Sequence, residues 1–245
     1  MHKCKKNSIF AVNLSIFMPI RSYLFDLFFP RTCPICHEPL DEQESLCPDC
    51  MAQLPRTEQA LLRDNSTEIL LQDDTHFGWG GCWLDYEKGS WLQQIIFQAK
   101  FGQGNPPLLR QLGQQAAREW APTGFFDGID MIMPIPLHPK RFRSRGFNQS
   151  EWIAKGLQDV LLLPMNTSYL TRERNNKKQS QSGREERQQI QSGLFAVNHP
   201  EELYRMTILL VDDIITTGAT ICSAMTAFQH VYRCKIVVFA LAKAK

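Results

Sequence analysis

A pair of aspartates followed by a threonine-rich turn is the part of this sequence most suited to chemistry. Val211-Asp212-Asp213-Ile214-Ile215-Thr216-Thr217-Gly218-Ala219-Thr220 directly follows Thr207-Ile208-Leu209-Leu210. An unbroken run of β-formers is the pattern of a central parallel strand covered on both faces. Ligands of parallel sheets bind at the C-terminal ends of such strands. Gly218 permits a sharp turn and a close backbone approach. The free N–H groups of the helix that follows, and its dipole, favour an anion. Thr216, Thr217 and Thr220 add hydroxyl donors. Asp212 and Asp213 would repel a phosphate, so they suit sugar hydroxyls instead. The implied ligand class is a phosphorylated sugar or nucleotide. Helix capping alone asks for one acid or threonine, not two acids, two threonines and a glycine in this order.

A second strand–loop–helix segment lies upstream. Pro134-Ile135-Pro136-Leu137-His138 leads into Lys140, Arg141, Arg143 and Arg145, then Gly146-Phe147-Asn148-Gln149. Four cations on a loop, with Asn148 able to cap the next helix, suit a pyrophosphate or a nucleic-acid backbone. The polar stretch 171–192 adds Arg172, Arg174, Lys177, Lys178, Arg184 and Arg187. A loop of that composition is expected to be mobile, either closing over a reactive anion or serving as plain surface.

Cys33-Pro34-Ile35-Cys36 and Cys47-Pro48-Asp49-Cys50 supply four thiolates in two tight pairs. That spacing predicts one closed, tetrahedral, structural zinc site formed by Cys33, Cys36, Cys47 and Cys50. It also points to a reducing compartment, hence a cytoplasmic protein.

These groups need elements to hold them. Strand patterns near 77–86, 131–136, 207–211 and 235–241 alternate with helix patterns over 91–101, 107–120, 148–162 and 219–231. Alternation of this kind predicts an α/β domain with a mostly parallel sheet flanked by helices. Before it, Ser22 to Phe29 reads as a short apolar helix, and 55–75 as a polar connection with a short helix near Leu61. The expected organisation is an extension at 1–21, a zinc-knuckle module at 22–60, a linker at 61–76 and the α/β domain at 77–245. The extension pairs Lys3, Lys5 and Lys6 with an apolar run from Ile9 to Ile20, too short to span a bilayer. It reads as an amphipathic helix, a weak targeting segment, or a start assigned ahead of Met18. No stable membrane insertion is expected. The net charge of +2 among 245 residues is too small for whole-molecule attraction to nucleic acid.

The aspartate–threonine segment resembles the 5-phosphoribosyl diphosphate (PRPP) motif of type I phosphoribosyltransferases. In order along the chain, the four cysteines, Pro134-x-Pro136-Leu137-His138…Arg145-Gly146-Phe147-Asn148-Gln149 and Val211-Asp212-Asp213-x-x-Thr216-Thr217-Gly218-x-Thr220 resemble the ComF (GntX) family, which is competence-associated and phosphoribosyltransferase-like. Lys100-Phe101-Gly102 is similar to a further motif near the start of that domain. The resemblance implies a type I phosphoribosyltransferase-like fold and a role in DNA uptake or utilisation. It implies PRPP held by Asp212 through Thr220, with Mg²⁺ accompanying it. Lys100, His138, Arg141, Arg145, Arg172, Arg174, Arg184 and Arg187 then become the candidates for pyrophosphate or nucleic-acid phosphate. Two readings stay open: a PRPP-dependent transferase, with no residue standing out as general base, or a binding protein for single-stranded DNA or a nucleotide that meets other competence proteins. For the second, Phe142, Phe147 and Trp152 are aromatics close to the cations.

Overall fold

The computed structural model describes residues 31–87, 89–100, 104–172 and 194–244. The extension, the helix expected at Ser22 to Phe29, and Arg174, Arg184 and Arg187 lie outside them. Helices are numbered α1 (Pro48–Ala52), α2 (Ser66–Leu71), α3 (Trp91–Lys100), α4 (Pro106–Trp120), α5 (Pro139–Arg145), α6 (Gln149–Leu161) and α7 (Ala219–Thr226). Strands are β1 (Phe77–Tyr86), β2 (Met131–Pro134), β3 (Leu170–Arg172), β4 (Phe195–Val197), β5 (Thr207–Ile215) and β6 (Lys235–Ala244).

β5 lies inside a four-stranded sheet of order β1-β6-β5-β2, in which every pairing is parallel. Side chains of a strand alternate between its faces, so its apolar run serves two cores at once. Leu209 and Val211 join Val237, Phe239 and Leu241 beneath α4 and α6. Ile208 and Leu210 join Ile236, Val238 and Ala240 against α7 and Phe228. This double burial accounts for the absence of polar alternation in the sequence of β5.

α4 and α6 cross at two glycines. A Cβ on Gly156 would lie 2.1 Å from the Arg110 carbonyl oxygen, and one on Gly113 would lie 2.4 Å from that of Ile153. Backbone therefore packs on backbone. Beside the crossing, Arg110 grips Asp159 in a fork of 2.6 and 2.7 Å, which Gln114 supports at 2.7 Å.

The cysteine-bearing segment is fastened to this domain rather than tethered beside it. On α4, Gln111 Oε1 accepts from the Ser45 and Leu46 N–H groups, and its Nε2 donates to Leu46 O. Arg56 donates to the carbonyls of Met51, Ala52 and Leu54, and also to the Glu119 carboxylate, which in addition accepts from Trp83 Nε1. Residues 55–57 extend along β1: Asp85 N–H donates to Pro55 O and Thr57 N–H to Trp83 O. Cys33, Leu46, Met51 and Leu54 share one core with Trp83, Leu112 and Trp120.

Three local expectations shift. The short helix expected near Leu61 forms instead at Ser66–Leu71, because Asn65 caps it, accepting from Thr67 and Glu68 N–H. Lys140, Arg141, Arg143 and Arg145 stand on a helix, α5, rather than on a loop. Pro139 at its first turn and the His138 ring, whose Nδ1 accepts from Lys140 N–H at 3.1 Å, start that helix, and Gly146 in the left-handed region ends it. α7 stops at Thr226, and the chain continues to Phe228 through turns of i→i+3 bonds.

Candidate phosphate site and metal centre

The C-terminal ends of β2 and β5 open into a cavity of about 840 Å³. Asp212, Asp213, Ile214 and Thr220 form one wall, and Lys140, Arg141, Arg145 and Arg172 supply cations. The strand carries both aspartates into the cleft because β5 runs on to Ile215 before it bends. Ile215 turns into the core, 1% exposed, while Thr216 and Thr217 are exposed at the bend. Gly218 takes φ 72 as it leads into α7 and Ala219, and a Cβ there would sit 2.9 Å from Leu70 Cδ2. Two independent reasons thus favour glycine at this position: the left-handed backbone and the close approach of α2. No side chain caps α7.

Asp212 is 8% exposed and fixed in place. Its Oδ1 accepts from Ser150 Oγ at 3.0 Å and from the Asp213 N–H at 2.9 Å. Ser150 lies in the first turn of α6, so that helix positions the carboxylate. Asn148 begins α6 without capping it; its side chain instead donates to Ile135 O at 2.9 Å, tying the helix to the end of β2.

The cations are held at a cost. Burial lowers the pKa of Arg145, with Arg141 pushing the same way and Asp213 opposing. Arg172 is lowered by burial and again by Arg141, with Asp212 opposing. Both remain charged, since guanidinium does not deprotonate in proteins. Desolvated like charges around one cleft are relieved by a bound anion.

Of the residues expected here from sequence, Asp212, Asp213, Ile214, Thr220, Arg141, Arg145 and Arg172 come together around the cavity. His138 does not line it; its ring caps α5. Lys100 ends α3, and its side chain is outside the described atoms. Sequence reading missed Gln93, Ile96 and Phe97 of α3, together with Gln149 and Ser150 of α6. The first-turn position of Gln149 and Ser150, after a strand entering the same sheet edge, was the available signal for the latter two.

The four paired cysteines form a separate centre. Their Sγ atoms all lie within 4.8 Å of one another, and Cys36 and Cys47 are 3.6 Å apart. Four sulfurs at about 2.3 Å from a tetrahedral zinc are separated by about 3.8 Å, so the residues fit the ion. Burial raises the pKa of the Cys33 thiol, but N–H groups of Cys47, Cys36 and Ile35 outweigh it and hold the pKa at about 6. Burial and the neighbouring sulfurs push that of Cys50 well up. A divalent cation lets all four ionise together. The first knuckle closes by Cys33 N–H to Glu38 O and His37 N–H to Cys33 O, with His37 at φ 62; the second is the start of α1, capped by Cys47 Sγ. Four thiolates would fill every position of a tetrahedral zinc and leave none open to substrate, so a zinc held here would be structural.

Residues 24–61 match the double zinc ribbon domain, and residues 148–245 match the phosphoribosyl transferase domain. Competence protein ComFC of Bacillus subtilis is 25% identical over 189 residues, covering 77% of this chain and 68% of that protein. The DNA utilization protein YhgH of Salmonella typhimurium is 28% identical over 192 residues, covering 77% and 80%. Competence protein F of Haemophilus influenzae is 29% identical over 155 residues, covering 62% and 66%. The chain is similar over most of its length to these competence and DNA utilization proteins, which bears out the resemblance to the ComF family. Its ribbon-plus-transferase order is that of a type I phosphoribosyltransferase fold with an N-terminal four-cysteine module. Among solved structures, similarity extends to the glutamine PRPP amidotransferase of Bacillus subtilis, at TM-score 0.39 and 18% identity, over 54% of this chain and 26% of that one. It extends also to adenine phosphoribosyltransferase of Leishmania tarentolae, at TM-score 0.38 and 11% identity, over 65% and 90%. This chain therefore spans about a quarter of the amidotransferase. Among the described residues no helix is long and apolar enough to cross a membrane.

Proposed function

We propose that this chain binds PRPP or a closely related sugar phosphate in the 840 Å³ cavity and serves in the uptake or use of DNA. The observation that carries the binding reading is the sharing of one cleft by a carboxylate pair and four cations. Asp212 and Asp213 accept hydrogen bonds from the ribose hydroxyls. Thr220 at the cavity wall and the uncapped first turn of α7 hold the 5′-phosphate, joined by Thr216 and Thr217, which do not line the cavity but stand exposed at the bend. Lys140, Arg141, Arg145 and Arg172 face the diphosphate and would stabilise it as the leaving group when an acceptor nucleophile displaces it at the anomeric carbon. The carboxylates are also hard oxygen donors of the kind Mg²⁺ accepts. Mg²⁺, when bound, would screen the diphosphate charge. The role in DNA uptake or use rests on the names of the competence and DNA utilization relatives. An intracellular, cytoplasmic setting accords with reduced, zinc-fitting cysteines.

Calorimetric titration of the zinc-loaded protein with PRPP and Mg²⁺ tests the reading, beside Asp212→Asn/Asp213→Asn. Saturable binding that the double variant loses is the expected result. A folded wild type that takes up no heat with PRPP refutes it. A second reading, single-stranded DNA bound along α5, is favoured by one feature: Phe142 is 46% exposed between Arg141 and Arg143. Phe147 and Trp152 instead pack against the core and give it no support. DNA affinity that falls steeply with salt yet survives the aspartate replacements would support this second reading.

A further inference from the structure

Among the described residues, two buried polar side-chain atoms lack a hydrogen-bond partner: Gln149 Nε2 and Arg172 Nε. Both residues line the same cavity. Gln149 is 1% exposed. An amide donor buried without a partner is costly, and native chains keep very few. Leaving a donor unmet at one particular wall of one cavity has a ready physical cause, which is that the ligand meets it.

The surroundings define what that ligand group is. Gln149 is the first residue of the thirteen-residue helix α6, whose opening turn has no side-chain cap. The helix dipole and the free first-turn N–H groups therefore face the same space as the amide. Arg141, Arg145 and Arg172 line the cavity as well. Each of these groups offers N–H donors and three of them carry positive charge, so the complementary group carries several acceptor oxygens and negative charge. A diphosphate has that chemistry. A ribose hydroxyl does not, and the carboxylates of Asp212 and Asp213 are suited to it.

We infer that the Gln149 side-chain amide is a ligand-contacting, specificity-determining group, donating its Nε2–H to the diphosphate of the bound ligand beside the Arg172 Nε–H. The inference rests on the reading of the cavity as a PRPP site and adds a residue that discriminates diphosphates from monophosphates. Glutamine suits the position because a glutamate there would repel the anion. Methionine would match its bulk but offer no donor.

The test titrates wild type, Gln149→Met and Gln149→Glu with PRPP, inorganic pyrophosphate and ribose 5-phosphate, each with Mg²⁺, and records the melting temperature of each free protein. Loss of a hydrogen bond to a charged group lowers affinity about 10- to 100-fold. Gln149→Met should lose that much toward PRPP and pyrophosphate while keeping its affinity for ribose 5-phosphate. Its free form should melt at or above the wild-type temperature, because an unmet buried donor has been removed. Gln149→Glu should bind the two diphosphates still more weakly. Unchanged PRPP affinity in a folded Gln149→Met or Gln149→Glu overturns the inference and leaves the PRPP reading standing. Equal losses toward all three ligands overturn it too, because they indicate a purely structural role. A wild type that binds none of the three overturns the PRPP reading, and this inference with it.

Discussion

Gly156→Ala sets two effects of opposite sign against each other. In the interior of α6, alanine is favoured over glycine by about 1 kcal/mol. Against that, the new Cβ would lie 2.1 Å from the Arg110 carbonyl oxygen and 2.8 Å from the Gln114 nitrogen. Both are backbone atoms inside α4, so no rotamer change relieves the contact. An ordinary carbon–oxygen contact needs about 3.2 Å, so α4 and α6 must separate by roughly 1 Å, at the upper end of the 1–3 kcal/mol usual for overpacking. The separation also loosens the Arg110–Asp159 fork, now at 2.6 and 2.7 Å. The net expectation is a loss of about 2 kcal/mol, or some 4–8 °C in melting temperature for a chain of this size. Because α6 carries Ser150 against Asp212, PRPP affinity should fall as well. Differential scanning calorimetry with and without PRPP reads both effects. A Gly156→Ala protein as stable as wild type, or more so, would show that helix propensity wins and that the two backbones do not meet as closely as described.

Ser150→Ala removes a donor to Asp212 Oδ1; it should weaken PRPP binding about 10-fold, as expected for a lost bond to a charged group, and calorimetric titration checks it. Stripping zinc with a chelator should lower the melting temperature of the whole chain rather than of a separate unit, because Cys33, Leu46 and Leu54 share a core with Trp83 and Leu112; a second, unaffected transition would contradict this. Glu119 gives a pH dependence. Burial raises its pKa, but Arg56, Gln115 and Trp83 outweigh that and bring it below the ordinary glutamate value of 4.5. The folded pKa lies below the unfolded one, so its contribution is complete above the ordinary value and is lost as pH falls through the depressed one. Wild type should lose stability across that acid window, and Glu119→Gln should lose less there in urea titrations at stepped pH.

The parts of this protein legible in its sequence are those whose physics is local. The two cysteine pairs carry their own ligand spacing. The buried strand, the glycine turn and the threonines of 207–220 lie within one strand–turn–helix unit, and a phosphate cradle needs nothing beyond that unit. The alternation of strands and helices likewise announces a parallel sheet, since it follows from how the chain must cross between neighbouring strands.

What the tertiary structure decided are relations between segments far apart in the chain. Ser150 meets Asp212 across 62 positions, and Gln111 holds Ser45 and Leu46 across 66 and 65. No periodicity encodes such pairs. Polar residues at the start of a helix read alike whether they face solvent or a ligand, so the first-turn position of Gln149 pointed to the sheet edge but not to its burial. The cations of 140–145 read as a loop because charged runs are usually surface connections; the proline and histidine that start α5 and the glycine that ends it turn them into one wall of the cleft. A short polar stretch read as a connection holds α2, which lies against Gly218, because burial of Leu71 and the bond from Lys243 Nζ to Ser66 O exist only once the sheet has formed. Residue types and local spacing thus determine what chemistry is on hand. The packing of α3, α5, α6 and α7 around one sheet edge determines which of those groups face the same 840 Å³, since burial and alignment depend on contacts that sequence neighbours do not make.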